Sequence, residues 1–298
     1  VNKWSDLTDA ETKLIPTAQD CENYRKLGWY KSDVIIPDEL IDNALVGAKA
    51  LANGEVDHEI KKLPRYQRQT DQGLINIEFA SLQNNKIAAL ASFRLIGAIA
   101  CRLTRARELR LFSDSLLCKL PQLYQDIPNH NTKSIVGWHT DKAYWPTCTS
   151  ENMLTAWIPL QTCTIDMGPL VYINGSHNWA NNPSLVDIIS FRDNSEAFDA
   201  WRNRTAVNFN KSHMTLAKGQ VCFHHCRLLH GSENNMSTTP RWALAIHIQD
   251  EQNKYQKLYN ADGEKVTIGY DDICEKDQQG MPNYSDNLMF PMIFIRRN

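Results

Sequence analysis

Hydrophobic and polar positions divide the chain into a helix-rich opening and a strand-rich remainder. Residues 1–20 are mostly polar and predict irregular or weakly helical structure. Residues 17–27 read as a short helix stopped by Gly28, and residues 29–36 as a strand. Residues 39–52 carry Leu40, Ile41, Ala44, Leu45 and Ala48 at helical spacing, the signature of one buried helix face. The clearest helix is predicted over residues 85–104, where Ile87, Ala88, Leu90, Ala91, Leu95, Ala98 and Ile99 form a broad apolar face widened by Phe93 and Ile96. A face that wide must pack on something large, most simply the back of a sheet.

From Leu109 onward, short apolar stretches separated by Gly, Asn and charged turns predict strands at 116–124, 153–160, 170–173, 221–223, 241–249 and 288–295. Residues 55–75 and 129–134 read as polar loops; Arg65, Gln67, Arg68 and Gln69 are placed either to line a pocket mouth or to form a solvated loop. Residues 179–215 are long, polar and helix-capable between core strands, which suits a lid. Trp201, Arg202, Arg204 and Phe209 are its candidate substrate contacts. The expectation is one domain over residues 1–298, with core strands at roughly 109–250.

Composition narrows the class. The 298 residues are 42% hydrophobic and 22% charged, with 32 basic against 34 acidic side chains, enough to bury a full core. No basic stripe points to nucleic acid, and no uninterrupted apolar run approaches the about 18–20 residues of a bilayer span. Residues 1–6 lack the charged-then-apolar pattern of a signal peptide. The eight cysteines are scattered except for Cys222 and Cys226, which predicts reduced thiols in the cytoplasm over a disulfide framework.

The chemistry gathers at two stretches, Gly137-Trp-His-Thr-Asp141 and His230-Gly-Ser232. On a strand, His139 and Asp141 would share a face, and His230 on a facing strand would complete a 2-His-1-carboxylate site with open positions for iron(II). Eleven residues beyond His230 comes Arg241. A guanidinium beside such a site suits a ligand that chelates metal at one end and presents a carboxylate at the other; 2-oxoglutarate fits. The segment Cys222-x-His224-His225-Cys226 could instead suggest zinc. Structural zinc draws on two separated ligand pairs, and the chain has no second Cys pair, so core packing and hydrogen bonding behind the metal ligands is the better reading. Lys119, Gln122 and Tyr124, just upstream of the His139 segment, read as structural in preference to holding 2-oxoglutarate or substrate.

These residues resemble the phytanoyl-CoA dioxygenase family of iron(II)/2-oxoglutarate oxygenases. The resemblance rests on His139-x-Asp141, on His230-Gly-Ser and on Arg241 at the family's spacing. It also includes Trp157 in the stretch 154–160, and Gly168-Pro-Leu followed by Gly175-Ser-His. Two departures occur: Asn174 stands where the family has Pro before Gly-Ser-His, and Asp166-Met-Gly replaces its acidic-Asn-Gly. The resemblance implies a mainly β protein with flanking helices and a double-stranded β-helix (jelly-roll, cupin-like) core. It implies metal ligation by His139, Asp141 and His230, with iron(II), 2-oxoglutarate and O2 as cofactor and co-substrates. Arg241 and Ser232 would hold the far carboxylate, and Trp157 would sit beside the co-substrate. The expected reaction is oxidation, by hydroxylation, of a polar small molecule, with no nucleic-acid or membrane partner. Asp141 argues against halogenation, because related halogenases lack that carboxylate. An acyl-CoA substrate and a non-catalytic cupin-like binding protein are the alternatives.

Overall fold

The computed structural model describes residues 1–60, 73–122, 134–179, 200 and 210–296. Arg65, Gln67, Arg68, Gln69, Tyr124, residues 129–133, Trp201, Arg202, Arg204 and Phe209 lie outside the described residues, as does most of the expected lid.

Two sheets make the core. The larger has eight strands, centred on the long antiparallel pair β4 (Glu108–Lys119) and β11 (Arg241–Asp250). From β11 it continues through β6 (Leu154–Pro159) and β9 (Gln220–His225) to β2 (Trp29–Val34) at one edge. On the other side of β4 lie β14 (Met292–Ile295) and β1 (Asn2–Lys3), while β3 (Leu74–Glu78) also pairs with β4. The smaller sheet orders β5 (Val136–His139), β10 (His230–Ser232), β7 (Leu170–Ile173) and β8 (Lys211–His213). A separate ribbon pairs β12 (Leu258–Tyr259) with β13 (Lys265–Val266). The sheets form the jelly-roll core expected from the sequence.

Period-two alternation gives the large sheet two chemically different faces. Trp242, Leu244 and Ile246 of β11, Leu154, Ala156 and Ile158 of β6, and Val221 and Phe223 of β9 join the apolar core shared with the helices. The alternate residues, among them Ala243, Ala245, Trp157 and Cys222, pack with Leu170 and Tyr172 of the small sheet. The register places Arg241, His247, Thr155 and His224 on this inner face.

Helices cover the outer face. After α1 (Asp9–Thr12), α2 (Ala18–Leu27) starts with a Thr17–Asp20 capping box and ends at Gly28. Gly28 has φ +84, and its N–H donates to the Tyr24 carbonyl at 2.7 Å, a left-handed cap that favours glycine. Helix α3 (Asp38–Ala52) buries Ile41, Ala44 and Ala48 as its spacing predicted. The segment predicted as one helix over 85–104 is two. A short helix α4 (Ala80–Gln83) precedes α5 (Asn85–Ala91), and α6 (Arg94–Thr104) follows a break at Ser92–Phe93. Ser92 turns its hydroxyl back onto the Ala88 carbonyl at 2.8 Å, and Phe93 is extended; side-chain bonding of this kind competes with helix propagation. The apolar faces still lie where expected. Ile87, Leu90, Ile96 and Ile99 are fully buried, each contributing about 1.5–3 kcal/mol. Residues 85–104 are long and apolar enough to cross a membrane, but they pack in the protein core.

Candidate active site

The small sheet brings two histidines together. In the β5–β10 pairing His139 lies directly opposite His230, and their ring centroids are 4.2 Å apart. Each imidazole is fixed by a main-chain carbonyl two residues before it. The Nδ1–H of His139 donates to the Gly137 carbonyl at 2.7 Å, and that of His230 donates to the Leu228 carbonyl at 2.8 Å. In a neutral ring, a donor at Nδ1 places the lone pair on the other ring nitrogen, the tautomer a metal-binding histidine needs. Asp141 Oδ1 lies 3.9 Å from His139 Nε2 and 3.6 Å from His230 Nε2. The three ligand atoms sit within 4.8 Å of one another, and all three residues are buried.

Asp141 arrives by a different local structure from the one predicted. Strand β5 ends at His139, Thr140 remains extended, and Asp141 opens a 3-10 turn over Asp141–Tyr144. His139 and Asp141 therefore do not share a strand face; the turn carries the carboxylate back to the imidazoles. Its second oxygen is held by the large sheet. Oδ2 accepts from the Thr155 hydroxyl at 2.5 Å and from His224 Nε2–H at 3.1 Å. Thr155 in turn accepts from His247 Nδ1–H at 2.8 Å, and the Tyr172 hydroxyl donates to His224 Nδ1 at 2.8 Å. With Oδ2 committed to the protein, Oδ1 is left for a metal.

Electrostatics agree with this division. Burial, reinforced by His139 and His224, pushes the His230 pKa well below the usual imidazole range, so the ring is neutral and its lone pair is available. Burial alone would raise the Asp141 pKa. The hydrogen bond from His224 Nε2–H outweighs it and holds the carboxyl well below its ordinary range. Two imidazole nitrogens and one carboxylate are the donor set of a non-heme ferrous site.

A second set of polar atoms lies on the same inner face. Arg241 opens β11 at 1% exposure, and among the described residues its Nε and Nη1 have no hydrogen-bond partner; Nη2 reaches the Gly168 carbonyl at 3.4 Å. The buried Ser232 hydroxyl and Trp157 Nε1 are also without partners, and the Arg241 guanidinium lies 5.3 Å from the Trp157 ring centre. Buried polar groups are normally satisfied. Four orphaned atoms on three residues, with a buried cation among them, fit an anionic ligand, and the carboxylate end of 2-oxoglutarate matches them.

A family model described as "Phytanoyl-CoA dioxygenase (PhyH)" matches residues 59–243, more than half of the chain. The chain belongs to the phytanoyl-CoA dioxygenase family. Peroxisomal phytanoyl-CoA dioxygenase of Bos taurus is 24% identical over 148 residues, covering 46% of this chain and 40% of that protein. The match thus spans about two fifths of the bovine relative's length. Among solved structures, the non-heme alpha-ketoglutarate-dependent carbocyclase SnoK from nogalamycin biosynthesis is 22% identical, covering 93% of this chain and 96% of its own, with a TM-score of 0.69. EctD from S. alaskensis, solved with 2-oxoglutarate and 5-hydroxyectoine, is 18% identical, covering 93% and 88%, with a TM-score of 0.62. These likenesses establish the shared fold.

Among the described residues, His139, Asp141 and His230 come together as a metal-competent trio, and the unpaired polar atoms of Arg241, Ser232 and Trp157 lie in the same buried interior. His224 lies behind the metal trio as the zinc alternative's better reading required. Cys226 lies beyond the end of β9, in a separate apolar cluster with Phe112 and Trp145. Among the described residues, His139, Asp141 and His230 are the metal-competent group. Thr155 and His247 were missed in the sequence. Their signal was available: 155 is in phase with Trp157, and 247 is in phase with Arg241.

Proposed function

We propose that this oxygenase oxidises, by hydroxylation, a C–H bond of a polar small molecule of natural-product or amino-acid-derived type, releasing succinate and carbon dioxide. His139, Asp141 and His230 would hold ferrous iron. Arg241 and Ser232 would hold the distal carboxylate of 2-oxoglutarate beside Trp157. Iron(II) and 2-oxoglutarate supply the O2-dependent oxidative decarboxylation that drives C–H oxidation. The carrying observation is the coincidence, in one buried interior, of a metal-competent trio with the unpaired donors of Arg241, Ser232 and Trp157.

The protein's own contribution is orientation and exclusion of water. The Gly137 and Leu228 carbonyls hold the two imidazoles in the ligating tautomer. Thr155 and His224 keep Asp141 to a single ligating oxygen, which leaves coordination positions for co-substrate and oxygen. Arg241 is buried where its charge is worth far more than in water. A small polar substrate is supported by solved relatives of the same fold, one bound to nogalamycin RO and another to 5-hydroxyectoine. The eight cysteines are buried free thiols, which supports a reducing compartment such as the cytoplasm.

The test is anaerobic titration with iron(II) and 2-oxoglutarate, following the visible charge-transfer band. The band is expected in wild type, absent in His230→Ala and shifted to higher 2-oxoglutarate concentration in Arg241→Ala. Its absence from folded, metal-loaded wild type would overturn the reading. Substrate-stimulated succinate formation then separates small polar molecules from acyl-CoA esters.

A further inference from the structure

A line of aromatic rings runs from the metal trio towards the surface. His247, bonded through Thr155 to Asp141, carries the Trp145 ring edge-on at 4.9 Å. Trp145 meets Phe112 at 5.4 Å and Phe112 meets Tyr284 at 5.4 Å, each pair again edge-to-face. All three rings are buried. Tyr284 also lines a cavity of about 430 Å³ shared with the exposed Lys254 and Lys257, where its far side meets solvent.

Packing alone does not account for the choice of side chains. Edge-to-face rings at these distances serve a core equally well as phenylalanine. This apolar cluster instead joins Trp145 and Tyr284 to Cys148, Cys226, Cys274, Met153 and Met289, a set rich in sulfur side chains open to oxidation. The Tyr284 hydroxyl donates to Asp271 Oδ1 at 2.6 Å and lies 2.7 Å from the Thr147 hydroxyl. The first distance is that of an O–H donating to a charged acceptor, so the phenolic proton has a place to go when the ring loses an electron. Trp145 stands at the other end of the line, against the side-chain network that holds Asp141.

On the proposed oxygenase reading, we infer that Trp145 and Tyr284 form an electron route that quenches the oxidant when O2 and 2-oxoglutarate are consumed with no substrate in reach. Such an uncoupled cycle releases succinate and carbon dioxide and leaves one oxygen atom, whose reduction to water needs two electrons and two protons. Trp145 gives an electron and recovers it from Tyr284 across Phe112, the Tyr284 proton passing to Asp271. A soluble thiol at the cavity, the reductant of a reducing compartment, returns an electron to Tyr284, which takes its proton back from Asp271. Two such passages oxidise two thiols to a disulfide and supply both electrons and both protons, and the oxygen atom leaves as water. Without the route the oxidant attacks the side chains of its own pocket, the kind of side reaction a closed site must prevent.

The test uses the whole protein with iron(II), 2-oxoglutarate and no substrate, with dithiothreitol as the thiol. The anaerobic charge-transfer band is read first in every variant; its absence from wild type sinks the co-substrate reading and the electron route together. Oxygenated samples are then frozen at intervals for electron paramagnetic resonance and digested for mass mapping of oxygen additions. Wild type is expected to show a tyrosyl radical that narrows with ring-deuterated tyrosine and decays faster with dithiothreitol. Tyr284→Phe keeps the ring contact with Phe112 and should lose that signal, with oxygen additions accumulating on Trp145. Trp145→Phe should lose it too, with additions moving to residues of the metal pocket. A band with no tyrosyl radical, or a radical that survives both substitutions, overturns the route and leaves the co-substrate reading intact. The same pattern of oxygen additions in wild type and variants overturns it as well, and makes the rings packing only. Tyr284→Phe carries the comparison alone should Trp145→Phe misfold.

Discussion

Replacing Thr155 with valine deletes one hydroxyl while nearly keeping the shape of the side chain. That hydroxyl stands between two groups: it donates to Asp141 Oδ2 at 2.5 Å and accepts from His247 Nδ1 at 2.8 Å. Losing a hydrogen bond to a charged carboxylate costs about 1.5–3 kcal/mol, and leaving the His247 nitrogen buried without a partner costs about 1–3 kcal/mol. The two losses share one network and do not add fully, so the metal-free protein is expected to lose about 2–4 kcal/mol. The larger consequence falls on the metal. Asp141 retains only His224 on Oδ2, so the carboxylate is free to rotate, and losses of this kind typically cost about 10–100-fold in metal affinity. The assay pairs urea denaturation of metal-free protein with an iron(II) or manganese(II) titration against a competing chelator. Thr155→Ser is the control: it keeps the hydroxyl and drops one methyl, so metal affinity should return while about 1 kcal/mol of stability is lost. Wild-type metal affinity in Thr155→Val would refute the idea that the large sheet orients Asp141.

Three further outcomes are expected. Ser232→Ala removes a buried hydroxyl that has no partner, so stability without co-substrate should hold or rise slightly, while 2-oxoglutarate affinity falls about fivefold to tenfold; calorimetry on manganese-loaded protein reads it. Gly168→Ala should lower the melting temperature, with a loss of about 2 kcal/mol or more. Gly168 sits at φ +63, and an added Cβ would press on the Glu233 carbonyl and lie 2.7 Å from that of Asn234. The third outcome concerns pH. Burial and Arg241 depress the Lys119 pKa in the folded protein, so between that value and about 10.4 the unfolded chain binds the extra proton. Co-substrate-free stability should therefore rise with pH across this window and be flat below it. Subtracting the Lys119→Met urea midpoints from those of wild type, from neutral pH to about pH 10, isolates the slope; no difference in slope would refute it.

Much of the site was legible because its residues are chemically rare and far apart in sequence. His139, His230 and Arg241 sit at strand ends, where a polar residue bounding an apolar run is conspicuous. The reason given for Asp141 was incomplete: two residues of separation imply a shared strand face only if the strand continues, and β5 stops at His139. Thr155 and His247 escaped notice because β6 is buried along its whole length and β11 along nearly all of it. Alternation of polarity, the usual signal of a strand's inner face, is therefore muted there. The split of the 85–104 helix turned on one serine hydroxyl, which periodicity does not weigh.

The two imidazoles and the carboxylate differ in what they depend on. His139 and His230 are each braced by a main-chain carbonyl two residues earlier in the chain, a support that survives almost any substitution elsewhere. Asp141 is braced by side chains from β6 and β9, with His247 of β11 behind them. Mutational drift in this barrel should thus erode the acidic ligand long before the basic pair. A descendant or engineered form without the carboxylate inherits two correctly aimed nitrogens and a vacant corner. The architecture is predisposed to exchange that one ligand for an external anion, which makes position 141 the natural entry point for redesigning the chemistry.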